Sequence, residues 1–149
     1  MTRPWSGEEL ARRVSAKLPQ AVEAWKDTAL WVKPQSLRQV AQFLKEEPGL
    51  EFNYLNSISG VDFIDHFEVV YHLTSLKHNH SALVKTRVLG RGEPTVPSVY
   101  DVWRGADYQE REVWDLLGIR FDGHPNLKRI MLWEGYPGHP LRKDYLEEL

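Results

Sequence analysis

Residues 67–74 read Phe-Glu-Val-Val-Tyr-His-Leu-Thr, and every second residue, counted from the phenylalanine, is large and apolar or aromatic. This period of two is typical of a β-strand that buries one face. Residues 82–88 show the same alternation, and the polar run at residues 77–80 predicts a loop between the two stretches. Together they predict a β-hairpin.

Two amphipathic helices are predicted upstream of the hairpin. Apolar residues recur every three or four positions in residues 6–18, and again from Ser36 to a stop near Pro48. Ser6 and Ser36 are each followed three positions later by Glu or Gln. This spacing is that of a capping box, so each serine is predicted to begin a helix.

Shorter stretches predict additional strands. Residues 21–25 and 29–33 form a candidate strand pair, and residues 52–59 carry β-compatible side chains up to a break at Gly60. Helices and strands in this order predict an α+β fold, in which helices pack on one face of a mostly antiparallel sheet. We assign this core domain to residues 1–95.

Composition narrows the possible functions. A chain of 149 residues has material for one domain, and its net charge of −2 supplies no field that would attract nucleic acid. Cys is absent, which removes disulfides, thiolate metal sites and iron–sulfur ligation. No apolar run approaches the roughly 20 residues that cross a bilayer, and the N-terminus lacks a secretory signal. We therefore expect a cytoplasmic chain that meets a membrane only through partners.

Regular structure is interrupted after residue 90 by glycines and prolines. Ser98 and Asp107 each have an acidic residue three positions later, so they predict two successive helix starts. The second helix should span about 108–117, and Gly118 is well placed as its left-handed stop. Residues 96–149 are thus interpreted as a helix plus an extended segment, continuous with the same domain.

The C-terminal segment, residues 123–145, has few helix or strand signals. Gly-His-Pro triplets at 123–125 and 138–140 predict two stiff turns, because proline restricts both itself and the residue before it. A long irregular segment in a small domain is more often functional or ordered by a partner than idle. We therefore predict an irregular, partner-binding tail.

Charge is segregated in the same part of the chain. Residues 107–115 contain four acids and one base, whereas residues 120–143 contain five bases and two acids. The two stretches could pair within the chain or face complementary patches on neighbours. Arg111 and Asp115 could pair at i,i+4 on the helix. The basic pairs in the second stretch are better matched to partner carboxylates than to phosphates.

Residues 110–130 read EREVWDLLGIRFDGHPNLKRI and closely resemble the signature of the 30-kDa subunit family, the C-type subunits of NADH-quinone oxidoreductase (respiratory complex I). Residues 138–145, GHPLRKDY, resemble the closing motif of that family, and residues 96–100 and 105–108 resemble its lead-in. A run of this length is far more specific than a short motif. The chain is identified by this resemblance as a member of the family.

The resemblance implies a non-catalytic structural subunit of the peripheral arm, on the cytoplasmic side of the cell membrane. It implies docking onto the D-type (49-kDa) subunit, with B- and I-type subunits nearby. NADH, FMN, iron–sulfur clusters and quinone are expected on other subunits, and proton-translocating electron transfer belongs to the whole complex. The lack of Cys agrees independently with the absence of a cluster in this chain.

Alternatives remain at this stage. Related subunits occur in membrane-bound hydrogenases and in ferredoxin- or F420-linked complexes. A stand-alone hydrolase using His124 or His139 is more remote, because no nucleophile or paired base accompanies either residue. We expect each histidine instead to hold its turn by hydrogen bonding to backbone. The histidines show no recognised metal-ligand spacing either.

No catalytic, cofactor-binding or metal-binding residue is predicted. Glu110 and Glu112 are two apart and do not share a helix face, so a helix cap and a solvent-facing charge are preferred to an acid–base pair. Trp114 and Trp133 are interpreted as core residues. The residues predicted to bind a partner are Glu110, Arg111, Glu112, Asp115, His124, Arg129, His139, Arg142, Lys143 and Tyr145.

Overall fold

The computed structural model describes residues 2–145, so the last four positions of the predicted 96–149 segment lie outside the described residues. A short 3-10 helix, Pro34–Ser36, leads into the second α-helix. The elements are, in chain order, β1 (Arg3–Pro4), α1 (Gly7–Lys17), β2 (Val22–Lys26), β3 (Ala29–Val32), α2 (Leu37–Glu46), β4 (Tyr54–Asp62), β5 (Phe67–Ser75), β6 (His80–Val88), β7 (Thr95–Pro97), α3 (Ala106–Leu117) and β8 (Arg120–Asp122).

The main sheet has the strand order β2-β3-β6-β5-β4, with β1 also paired to β6. Strand β5 runs antiparallel to both β4 and β6, while β3 and β1 run parallel to β6. A second, two-stranded parallel sheet joins β7 to β8 and was not predicted. Antiparallel pairs dominate the main sheet, as the sequence predicts.

The predicted hairpin is present as β5 and β6, in which Tyr71 pairs with Val84. The inward residues of β5, spaced by two, are buried. Helices α1 and α2 bury Leu10 and Val40 within the same core. Helix α3 meets this face of the sheet at Gly60, which is paired with the inward-facing Val69. The α+β prediction with helices on one face is confirmed.

The two predicted helix starts upstream have different outcomes. Ser6 caps α1, because its hydroxyl accepts a hydrogen bond from the Glu9 N–H at 3.1 Å. Ser36 precedes the first residue of α2, so the predicted helix start is confirmed, but its side chain makes no capping hydrogen bond. Its backbone is already helical because the 3-10 turn begins at Pro34, a residue preorganised for a first helical turn.

The predicted break at Gly60 is also wrong, because β4 continues through it to Asp62. A Cβ at Gly60 would lie 3.0 Å from the Val113 Cγ1 and would overlap the Leu117 side chain. Glycine is therefore required by the close approach of α3. The strand does not end there.

The predicted helix start at Ser98 is wrong, since residues 99–104 form turns. The Asp107 start is misplaced, because α3 begins after Gly105 without a side-chain cap. Gly118 ends the helix as predicted, with φ 77° and an N–H that donates to the Trp114 carbonyl at 2.8 Å. Within residues 2–145, no helix combines the length and the apolar character that crossing a membrane requires.

Candidate functional site

The carboxylate of Asp115 is the hub of a hydrogen-bond network that joins α3 to the C-terminal segment. Its side chain is 0% exposed, and its Oδ1 accepts from the Arg129 Nη1 at 2.6 Å. Its Oδ2 accepts from three successive backbone N–H groups at 3.2, 2.8 and 2.9 Å, those of residues 130–132. Burial opposes ionisation, but these donors outweigh it and hold the pKa of Asp115 below its usual value.

Arg129 extends this network to the second Gly-His-Pro turn. Its Nη2 donates to the Tyr136 carbonyl at 2.6 Å and to the Gly138 carbonyl at 2.7 Å. One guanidinium thus joins α3 to two separate points of the C-terminal segment. The acidic stretch and the basic stretch noted in the sequence therefore pair in part within the chain, through Asp115 and Arg129.

Two residues of the closing motif bind the C-terminal end of α3. The His139 Nδ1 lies 2.9 Å from the Asp115 carbonyl, and the imidazole packs on Trp114 with ring centroids 4.9 Å apart. Burial lowers the pKa of His139. The Arg142 Nε donates to the Leu117 carbonyl at 2.5 Å. These groups satisfy helix carbonyls that have no partner inside the helix.

A second anchor, which sequence reasoning missed, is the pair Arg91 and Asp62. The guanidinium contacts both carboxylate oxygens, at 2.8 and 2.7 Å, and its Nε donates to Asp144 at 3.0 Å. The hydrogen-bonded arginine holds the pKa of Asp62 well below its usual range. The Lys143 N–H also donates to the Asp62 Oδ2 at 2.9 Å. The closing motif is thereby fixed to the end of β4.

Glu110 forms a third, fully buried junction. Its Oε1 accepts from the Ser98 hydroxyl at 2.6 Å and its Oε2 from the Val99 N–H at 2.9 Å. Burial raises the pKa of Glu110 to about 7. The capping interpretation of this residue is wrong, because its side chain points into the core instead of back toward the helix start.

His124, in the first Gly-His-Pro turn, has a fully buried side chain. Its Nε2 lies 3.1 Å from the Asp107 carbonyl, and its Nδ1 accepts from the Asn126 N–H at 2.9 Å. Both contacts are to backbone, as the turn-holding interpretation predicts for His124 and for His139, and the His124 Nε2 also lies 3.2 Å from the Asp107 Oδ1. Neither imidazole faces a serine or threonine hydroxyl within the described contacts, so the geometry offers the hydrolase hypothesis no support.

The remaining predicted partner-binding residues are placed as follows. Arg111 does not pair with Asp115, because its guanidinium donates to the carbonyls of Lys128 and Arg129 at 3.2 and 3.3 Å. The Tyr145 hydroxyl lies 2.8 Å from the Tyr136 hydroxyl. Glu112 and Lys143 have exposed side chains. Most of the predicted set therefore makes contacts inside this chain, with Glu112 and Lys143 facing outward.

A family model described as "Respiratory-chain NADH dehydrogenase, 30 Kd subunit" matches residues 30–148. The chain belongs to this family. The resemblance noted in residues 110–130 and 138–145 is thus confirmed.

Relatives extend this result. The chain is 50% identical over 121 residues to the second C-type subunit of the NADH-quinone oxidoreductase of Rhizobium meliloti, a match that spans 78% of this chain and 65% of the relative. It is 43% identical over 139 residues to the corresponding C-type subunit of Roseiflexus castenholzii, covering 89% of this chain and 79% of that one. Against the first relative, the chain accounts for less than two thirds of the length.

A solved structure is also similar. It belongs to the membrane-bound sulfane sulfur reductase, an archaeal respiratory membrane complex, and superposes with a TM-score of 0.75 at 27% sequence identity. The match covers 93% of this chain and 85% of that one. The 30-kDa subunit fold therefore also occurs in a respiratory complex with a different name.

The signature of this 30-kDa subunit family thus encodes an internal scaffold that orders residues 123–145. Arg91 and Asp62 belong to that scaffold but lie outside the signature, 29 positions apart, so no local pattern could have paired them. Among residues 2–145, no group of three or more potential ligand side chains is placed to hold a metal ion.

The scaffold leaves large apolar side chains on the outside. Trp133, interpreted from sequence as a core residue, is 63% exposed, and Met131 and Leu141 are 62% and 60% exposed. We call these three residues, with Ile130, the apolar patch. The Met131 N–H donates to Asp115 and the Leu141 N–H to the Leu116 carbonyl, so both are held against the same turn of α3.

Proposed function

We propose that this chain is a structural and assembly subunit of a proton-translocating NADH-quinone oxidoreductase, and that its C-terminal segment docks onto the D-type (49-kDa) subunit. Membership of the 30-kDa subunit family and the names of the relatives support this proposal. The observation that carries the docking role is the construction of residues 123–145. Arg129, His139 and Arg142 turn inward onto α3, while Met131, Trp133 and Leu141 are exposed.

In this proposal the chain itself is non-catalytic. The complex passes electrons from NADH to quinone, with FMN and iron–sulfur clusters held by other subunits, B- and I-type subunits among the neighbours. The lack of Cys supports the absence of a cluster here. The chain would lie on the cytoplasmic side of the membrane, which it reaches only through the complex, and it would bind no nucleic acid.

The apolar patch gives the docking surface its chemistry. Exposed large apolar groups within one short segment are typical of protein interaction sites, and tryptophan is enriched among residues that dominate binding energy. The rings of Trp133 and Tyr136 pack at a steep angle with centroids 5.5 Å apart, which restricts the orientation of Trp133. A preorganised surface loses little conformational entropy on binding.

The buried charges take a different role from the one predicted. Asp115 and Arg129 lie beneath the patch and hydrogen bond to the backbone that carries it. Their substitution would weaken docking indirectly, by disordering residues 128–138. Glu112 and Lys143 remain candidates for direct polar contacts at the rim, because both are exposed.

Co-purification from native membranes tests this surface. Trp133→Ser should reduce recovery of the 49-kDa subunit with the tagged chain, because a central anchor typically contributes about 2 kcal/mol or more, which is roughly 30-fold in affinity. Trp25→Ser is the matched control, since Trp25 is also half-exposed but lies on β2. Equal recovery from the two variants would refute the docking role of the patch.

A second candidate is the equivalent subunit of a related membrane-bound respiratory complex, such as the hydrogenase or ferredoxin- and F420-linked complexes considered from sequence. The similarity to the sulfane sulfur reductase structure favours keeping it. Mass spectrometry of the co-purified subunits discriminates the two. NADH-oxidising activity in the purified complex supports the first proposal, and its absence supports the second.

A further inference from the structure

We propose that Glu110 and the closed polar pocket around it form a proton-binding site that loosens the joint between α3 and residues 98–103 as the pH rises. Glu110, Ser98 and Val99 are buried inside the chain, so their behaviour does not depend on which protein docks onto it. The groups that face the Glu110 carboxyl determine which of its forms is stable.

Only neutral groups donate to this carboxyl among the described contacts. Ser98 supplies a hydroxyl at 2.6 Å and Val99 a backbone N–H at 2.9 Å. The Ser98 Oγ itself accepts from the Tyr100 N–H at 3.1 Å. Glu110 is 0% exposed, so water does not supply the missing stabilisation of a negative charge.

The titratable groups that face Glu110 from neighbouring elements also provide no cation. Asp107, on the same helix, is acidic and disfavours a second negative charge. Tyr71 of β5 is buried, and its hydroxyl has no hydrogen-bond partner within the described residues. His124 is the remaining neighbour, with its Nε2 4.0 Å from the Glu110 Oε1.

The contacts of His124 define its charge. Its Nδ1 accepts the Asn126 N–H, so this nitrogen carries no proton, and the proton of a neutral ring must then reside on Nε2. The Nε2 lies 3.1 Å from the Asp107 carbonyl and 3.2 Å from the Asp107 Oδ1, both nearer than the Glu110 Oε1 at 4.0 Å. His124 is thus directed to Asp107 and makes no hydrogen bond to Glu110.

The two hydrogen bonds that Glu110 accepts favour its ionised form, but burial away from water favours the protonated form more strongly. Burial raises the pKa of Glu110 from 4.5 to about 7. The folded state therefore binds this proton more tightly than the unfolded chain does. Stability from this group is fully present below pH 4.5 and is lost as the pH rises through 7. The loss of stability should be felt first in residues 98–103, which pack against Glu110 and include the buried Val99 and Trp103.

Denaturant unfolding of the full chain at pH 5.5 and pH 8 tests the proposal. Between these values the folding equilibrium constant of the natural chain should fall by at least about tenfold more than that of Glu110→Gln, whose amide imitates the protonated acid. Glu112→Gln is the matched control, because it removes an exposed acid from the same helix and should behave like the natural chain. Equal pH dependence in all three proteins overturns the proposal.

Carbon-13 NMR of the natural chain gives an independent readout. It tests the protonation of Glu110 even if Glu110→Gln fails to fold. The Glu110 side-chain carboxyl, assigned through its own backbone, should titrate near pH 7. Exchange of the Val99 amide should accelerate over the same range beyond the general effect of pH. A carboxyl that titrates below pH 5 contradicts the proposal.

Discussion

Arg129 and Asp115 form an ion pair at 2.6 Å in which the carboxylate is fully buried and the arginine also reaches across to the second Gly-His-Pro turn. The pair converts an irregular stretch of sequence into a defined surface. Charged contacts inside the chain thus hold the C-terminal segment against α3.

Arg129→Met should destabilise the protein by about 3 kcal/mol or more, because it leaves the buried Asp115 carboxylate without its cation. The expected local effect is faster hydrogen exchange at the amides of residues 130–132, which donate to the same carboxylate. Lys128→Met is the control, since it removes a neighbouring exposed cation. Unchanged exchange in Arg129→Met would contradict the scaffold role.

Arg142→Ala should loosen the closing motif within the isolated chain. The substitution removes donors to the carbonyls of Leu117 and Arg91, and an unsatisfied buried acceptor costs about 1–3 kcal/mol. If Arg142 only bound a partner, as predicted from the sequence, this variant would keep a nearly intact fold and fail only in assembly. Thermal unfolding distinguishes the two, with Lys143→Ala as the exposed control. A normal melting temperature in Arg142→Ala would favour the sequence-based prediction.

Acid should release the closing motif at Asp62. Arg91 holds the pKa of Asp62 below the usual value of 3.8, so the folded state prefers the ionised form. This contribution to stability is present above about pH 4 and is lost as the pH falls below it. Chemical shifts of the Lys143 amide should report the release. Asp62→Asn should abolish this transition and Asp122→Asn, an exposed control, should not.

Gly60→Ala should destabilise the protein by roughly 1–3 kcal/mol, because a methyl group there collides with α3 and forces its displacement. Gly92→Ala is the matched control, since nothing lies within 4 Å of a Cβ at that position. Denaturant unfolding of both variants measures the difference. Equal stability would mean that α3 adjusts freely against β4.

The parts of the fold that could be predicted are those set by local periodicity. The β5–β6 hairpin is predicted by the alternation of apolar and polar residues within each strand. The Ser6 cap is predicted because it needs only a contact with a residue three positions away. At Ser36 the same spacing places the helix start correctly, but the side-chain cap is absent because the 3-10 turn from Pro34 already makes the backbone helical there. Local spacing predicts an element well and its boundary less well.

The charged residues show a different limit. A spacing of three places Glu110 equally well for capping Asp107 or for burial against Ser98, and only the tertiary structure decides. Likewise, segregated charge predicted partner contacts for Arg129, which pairs inside the chain instead. The pairing of Arg91 with Asp62 depends on how the sheet brings the end of β4 close to the loop after β6, which no local stretch of sequence shows.

The bond from the Lys143 amide to Asp62 spans 81 positions of the chain. Contacts between residues so far apart in the chain form late in folding, because the loop that they close must first become ordered. The residues of the sheet are also synthesised before those of the closing motif. Leu141 belongs to both the closing motif and the apolar patch, so the patch is complete only when residues 138–145 are in place. A chain that lacked those residues would therefore lack part of the surface that we propose for assembly.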